Sequence, residues 1–141
     1  MKLDYFFLKL THHIASEFPD RIDEKEMIQQ RSELASATYH ECTRQGLTHT
    51  EALMMANETL FDGFNYSPYQ LVKRVVEDQF PDEDEAEQDA FTLQMLDLCK
   101  PLFEEYDTED PAFPGSQAEM QLYICLTGEI DQYLKKNGMT F

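Results

Sequence analysis

Apolar side chains recur at steps of three and four residues along most of this chain, and that spacing commits it to helices packed on one another. Leu3, Phe6, Phe7, Leu10, Ile14 and Phe18 form one stripe, which stops before Pro19. A thinner stripe of Met27, Ile28, Leu34, Ala35, Thr38 and Cys42 predicts a second helix over residues 23 to 45, closed by Gly46 as a left-handed cap. Leu47 and Thr48 followed by Glu51 read as a staple residue and a capping box opening helix three, which carries Leu53, Ala56, Leu60 and Phe61 to Gly63. Ser67-Pro68 then opens helix four, with Ser as N-cap and Pro at the first helical position. Its Leu71, Val72, Val75 and Val76 are β-branched enough to admit a strand, but caps and spacing favour helix to near Phe80-Pro81.

Asp82 and Glu85 suggest another box for helix five, whose apolar positions run from Phe91 through Met95, Leu98, Cys99, Leu102 and Phe103 to Tyr106, with Pro101 expected to kink or split it. Ser116 and Glu119 open helix six, Lys135 and Lys136 suit its negative end, and Asn137-Gly138 stops it. Leu122 to Leu126 are consecutive apolar or thiol residues, so helix six must be covered on more than one side. It is then either the central helix of the fold or one side of a homodimer interface. The expected fold class is all-α: about six helices in a single domain, 1–141, weakly divided into residues 1–80 and an acidic 81–141.

Charge refines this picture. Lys and Arg total 11 against 28 Asp and Glu, a net −17, over 141 residues of which 42% are hydrophobic. That is apolar enough for a core despite the charge. Residues 1–74 hold 8 basic and 11 acidic side chains, net −3, whereas residues 75–141 hold 3 and 17, net −14. The acids gather in two runs, Asp82 to Asp89 and Glu104 to Asp110. No stretch of apolar residues is long enough for a membrane span and no signal peptide is evident, so the expected compartment is the cytoplasm. Cys42, Cys99 and Cys125 are odd in number and widely spaced, which suits reduced, half-buried packing residues better than disulfides or zinc ligands.

Chemical motifs fail on spacing. The residues three before His12, His13, His40 and His49 are Lys9, Leu10, Ala37 and Gly46, so no Glu-x-x-His pair exists. Arg44 stands where a zinc-protease helix beginning at His40-Glu41 needs its second His. His13 and Glu17 share a face and, with His12, offer the best metal edge, but no further ligand is evident. The run at Asp82 has Ala86, Glu87 and Leu93 where a calcium loop requires ligands and a Gly. Phosphate loops and a Gly-x-Ser-x-Gly elbow are absent.

Several strings nevertheless co-occur in a familiar way. Leu3-Asp4-Tyr5-Phe6-Phe7-Leu8-Lys9-Leu10, Phe18-Pro19, Met27-Ile28 with Arg31, and Gly46-Leu47 with Glu51-Ala52 resemble the opening half of a bacterial family known as a domain of unknown function. Leu60-Phe61-Asp62-Gly63-Phe64-Asn65-Tyr66-Ser67 with Tyr69, and Gln79-Phe80, extend the likeness. Leu122-Tyr123 with Leu126-Thr127-Gly128-Glu129-Ile130 and Tyr133-Leu134 is similar to the family's last helix. The resemblance implies small, mostly helical proteins, often encoded near mobile elements, without an assigned activity, cofactor or substrate.

No catalytic, cofactor or metal residue is therefore assigned. The expected function is a non-enzymatic interaction or regulatory module whose acidic C-terminal half meets a basic protein partner. Its candidate surface comprises Glu83, Asp84, Glu104, Glu105, Tyr66 and Tyr69, with Phe61 and Phe64 as further aromatics that could line a groove. One alternative is a small metal-assisted hydrolase on His12, His13 and Glu17. The other is a helix-turn-helix nucleic-acid binder at helices three and four, disfavoured because only Lys73 and Arg74 would meet phosphate.

Overall fold

The periodic stripes do form helices. A computed structural model describes residues 3–137; the Leu3 side chain and the Gly138 stop fall outside that description. The helices are α1 (Leu3–Glu17), α2 (Lys25–Arg44), α3 (His49–Leu60), α4 (Pro68–Gln79), α5 (Glu85–Phe103) and α6 (Gln117–Asn137), with a short 3-10 turn at Pro19–Arg21. No strand occurs among the described residues.

The chain divides into two compact units, Met1–Asn65 and Tyr66–Phe141. Residues 1–80 were expected to group together, but α4 belongs with the acidic helices. Its Val72, Val75 and Val76 are fully buried in a core shared with α5 and α6, a surface that cannot be left wet. Unit two consequently holds 5 basic and 17 acidic side chains, net −12.

In unit one, Phe6, Leu10, Ile14 and Phe18 pack with Ile28, Ala35, Ala56, Leu60 and Phe64. Buried positions on α2 and α3 are mostly small, Ser32, Ala35, Ala52 and Ala56, which lets these helices lie close. Leu34, expected inside, is 56% exposed; Ser32 takes the buried position and returns its hydroxyl to the Ile28 carbonyl (2.7 Å). Gly46, at φ 95°, ends α2 as expected: Leu47 N–H reaches the Cys42 carbonyl and Gly46 N–H the Thr43 carbonyl, each at 3.1 Å. The capping box of α3 is complete, Thr48 Oγ1 accepting from Glu51 N–H (3.2 Å) and Glu51 accepting from Thr48 N–H (3.0 Å).

The other end of α3 is closed by a residue from another helix. Arg31 Nη1 donates to the carbonyls of Thr59, Leu60 and Asp62 at 3.3, 3.4 and 2.6 Å, and its guanidinium lies 5.6 Å from the Phe64 ring centroid. The same side chain lines a shallow hollow with Leu34, Glu58, Thr59 and Asp62. Replacing Arg31 with Met keeps the aliphatic stem and removes the donors. The expected loss of stability is about 1–3 kcal/mol, read as a lower urea midpoint with unchanged slope.

In unit two, α4 opens as expected, Ser67 Oγ accepting from Gln70 N–H at 3.1 Å. The box expected at Asp82 is not formed: Asp84 is the N-cap of α5 and makes no side-chain cap bond. Gln88 does the anchoring instead, its buried amide donating to the Phe80 carbonyl at the end of α4 (2.6 Å). Pro101 does not split the helix: it lies inside α5, in its last turn, and α5 stops two residues later at Phe103. α6 buries Leu122, Leu126 and Ile130 on one side and leaves Met120 and Ile124 64% and 62% exposed on the other. The structure therefore resolves the all-round apolar run into a buried and an outward face.

Candidate functional site

The sequence-derived surface does not come together as one patch. Glu83 and Asp84 precede α5, whereas Glu104 and Glu105 follow it; a helix of 19 residues separates the two pairs by about 28 Å. Tyr69 was expected at the surface, but it is 7% exposed and belongs to the core of unit two, because position 69 shares the inward face of α4 with Val72 and Val76. Phe64 is 2% exposed inside unit one, and of the four aromatics around the α3–α4 connection Phe61 and Phe64 pack in the core of unit one, Tyr66 and Tyr69 in that of unit two. Of the helix-turn-helix outline, α3 belongs to unit one and α4 to unit two, and residues 61–67 join them.

His13, the centre of the metal alternative, is a tether. Its Nε2 donates to the Phe64 carbonyl (2.7 Å) and its ring packs on Phe61 and Phe18, at 4.9 and 5.8 Å between centroids. His12 is exposed, and no three His, Cys, Asp or Glu side chains among the described residues are grouped to hold a metal ion. Of the thiols, Cys42 is half-buried and Cys99 buried, with burial, and secondarily the Glu129 charge, pushing the Cys99 thiol up to about 11. Cys125 was expected in the packing too; it is exposed, because it lies outside the buried face of α6.

Tyr66 does sit at a polar junction. Its backbone N–H donates to Glu109 (3.0 Å) and its hydroxyl to Glu119 Oε2 (2.6 Å), while its ring meets Phe113 edge-on at 5.0 Å. Glu119 was expected to complete a capping box with Ser116. Half of that forms, Ser116 Oγ accepting from Glu119 N–H (3.1 Å), but the carboxylate reaches one residue further back, to Gly115 N–H (3.0 Å). Arg74 approaches the same carboxylate at 3.8 Å, and the Glu119 side chain is only 14% exposed.

Beside this junction lies an open cleft of about 440 Å³, walled by Arg74 and Asp78 of α4 and by Glu119, Met120 and Tyr123 of α6. The Tyr123 hydroxyl donates to Asp78, and the Arg74 guanidinium lies 5.4 Å from the Tyr123 ring centroid. Burial first, then hydrogen bonding to a carboxylate, raises both Tyr66 and Tyr123 above the ordinary phenol range, so both remain donors at neutral pH. Ser116 is committed to capping and donates to the Phe113 carbonyl (2.5 Å). The cleft thus presents carboxylate acceptors, one half-exposed guanidinium and a methionine, a set suited to recognition. In the sequence its one signal is the four-residue spacing of Arg74 and Asp78, which looks like an intrahelical pair; instead both residues turn to Tyr123.

The fold has a counterpart among known proteins. A family model described as a domain of unknown function, DUF1896, matches residues 1–139. The chain belongs to that family. Among solved structures, it is similar to protein PG0816 from Porphyromonas gingivalis, at 30% identity over 99% of this chain and 95% of that one, with a TM-score of 0.87. No curated protein matches it. For DUF1896 these findings establish the helical fold, which the resemblance in the sequence anticipated, and leave the chemistry to the residues themselves. No helix among the described residues is long and apolar enough to cross a membrane.

Proposed function

We propose that this DUF1896 protein is a cytoplasmic, non-enzymatic interaction module whose second unit binds a basic protein partner. The observation that carries the reading is the charge of that unit, net −12, with Glu104, Glu105, Asp107 and Asp110 all exposed on the connection between α5 and α6. A surface of one sign attracts an oppositely charged partner over a distance of about 10 Å at 0.1 M salt and fixes its orientation. The three free thiols suit a reducing compartment.

Because α5 holds the acidic pairs apart, they can be tested separately. With the protein immobilised and native lysate passed over it, a basic partner is expected to be retained at low salt and released at high salt. E104K with E105K is expected to weaken retention by about tenfold, and E83K with D84K by much less, since Glu83 is half-buried and lies at the far end of α5. Retention unaffected by both reversals and by salt would refute the reading.

A further inference from the structure

We propose that the outward face of α6 seats a basic amphipathic helix of the partner protein, an inference that rests on the acidic-module reading and locates its contact. Met120 and Ile124 stand one turn apart on this face, 64% and 62% exposed, and Gly128 continues the stripe one turn further. Among the described residues nothing gives Gly128 a packing reason: its φ is not positive, and a Cβ built there meets nothing within 4 Å. A mid-helix glycine is the poorest helix former after proline, and here it leaves a notch beside two uncovered apolar side chains. Such a notch lets a second helix approach the α6 backbone closely.

The flanks say what kind of helix. On one side Tyr123 carries Asp78 of α4, with Glu119 and Arg74 in the cleft that Met120 also lines. Arg74 is drawn over the Tyr123 ring and toward Glu119, which offsets its charge locally. On the other side Tyr106, from the connection bearing Glu104, Glu105 and Asp107, lies against Cys125. An apolar ridge with an acidic margin on the Tyr106 side and the exposed Asp78 carboxylate on the other is complementary to a helix with a leucine-like stripe bordered by Lys or Arg. A second copy of this chain would bring −17 against −17, so charge opposes the same face as a homodimer interface.

The test uses the full chain and three fluorescent peptides: a Leu/Lys amphipathic helix, its Leu/Glu counterpart and an oligolysine of equal charge. The Leu/Lys helix is expected to bind in an anisotropy titration and the Leu/Glu helix to show none. I124S is expected to weaken Leu/Lys binding about tenfold while leaving oligolysine unaffected. G128Q is expected to raise the melting temperature, since Gln is the better helix former, and yet to weaken Leu/Lys binding; a merely structural glycine gives no such opposition. Leu/Lys binding indifferent to both substitutions but lost at high salt overturns the α6 seat and leaves the acidic-module reading standing. Failure of every basic peptide to bind at low salt overturns both. Sedimentation equilibrium showing a dimer that I124S dissociates assigns the face to a second copy and overturns the proposal.

Discussion

Leu126→Ala is expected to lower the unfolding free energy by about 2–5 kcal/mol, whereas Ile124→Ala, two residues away in the same apolar run, is expected to change it by less than about 0.5 kcal/mol. Leu126 is fully buried among Val72, Val75, Met95 and Leu122, so truncation removes transfer free energy and leaves a cavity in a close-packed interior. Ile124 is 62% exposed on the opposite face, and Ala is the better helix former. Urea unfolding followed by circular dichroism checks the pair. Equal effects at the two positions would mean that Ile124 is also covered, which is the behaviour of a permanent dimer through α6.

Glu119→Ala is expected to cost about 2–4 kcal/mol, more than any other change to an acidic side chain of the second unit. It deprives the half-buried Tyr66 hydroxyl and the Gly115 N–H of their acceptor at once and removes the counter-charge beside Arg74. Hydrogen bonds to a charged acceptor are worth about 1.5–3 kcal/mol each, and the half-buried Tyr66 hydroxyl, left without its acceptor, adds its desolvation. The same junction gives a pH signature. Tyr66 has a raised pKa in the folded chain, chiefly through burial and then through Glu119, so above pH 10 the unfolded chain releases a proton that the folded chain keeps. The unfolded state then binds fewer protons, and stability, intact below pH 10, falls as pH rises. Tyr123 and Tyr69 act in the same direction. Urea midpoints between pH 8 and pH 12 (about the Tyr range) should therefore decline, and Tyr66→Phe should flatten the decline. A decline identical in the Phe variant would show that Tyr66 does not contribute.

Glu119 also illustrates how much of the candidate site could be read in advance. Ser116 and Glu119 were legible as a helix start, because capping is local chemistry written in four consecutive residues. That Glu119 would also accept from Tyr66, 53 residues away, depends on how α4 packs on α6 and has no sequence signal. Arg74 and Asp78 mislead in the same way, since their spacing advertises a pair with each other while their partners lie on α6. Glu83, Asp84, Glu104 and Glu105 are acidic runs on paper and opposite ends of one helix in space.

What the sequence by itself determined is what depends on neighbours within a turn: six helices, their caps at Gly46, Thr48, Ser67 and Ser116, and the uneven charge. Hydrogen bonding along a helix and the 3.6-residue period make these local. Only the tertiary structure decided that α4 joins the second unit, that Tyr69 and Phe64 are buried, and which side of the run Leu122 to Leu126 faces water. Those outcomes follow from packing between segments far apart in the chain, where burial of one apolar face leaves another uncovered; on α6 the uncovered one is Met120 and Ile124.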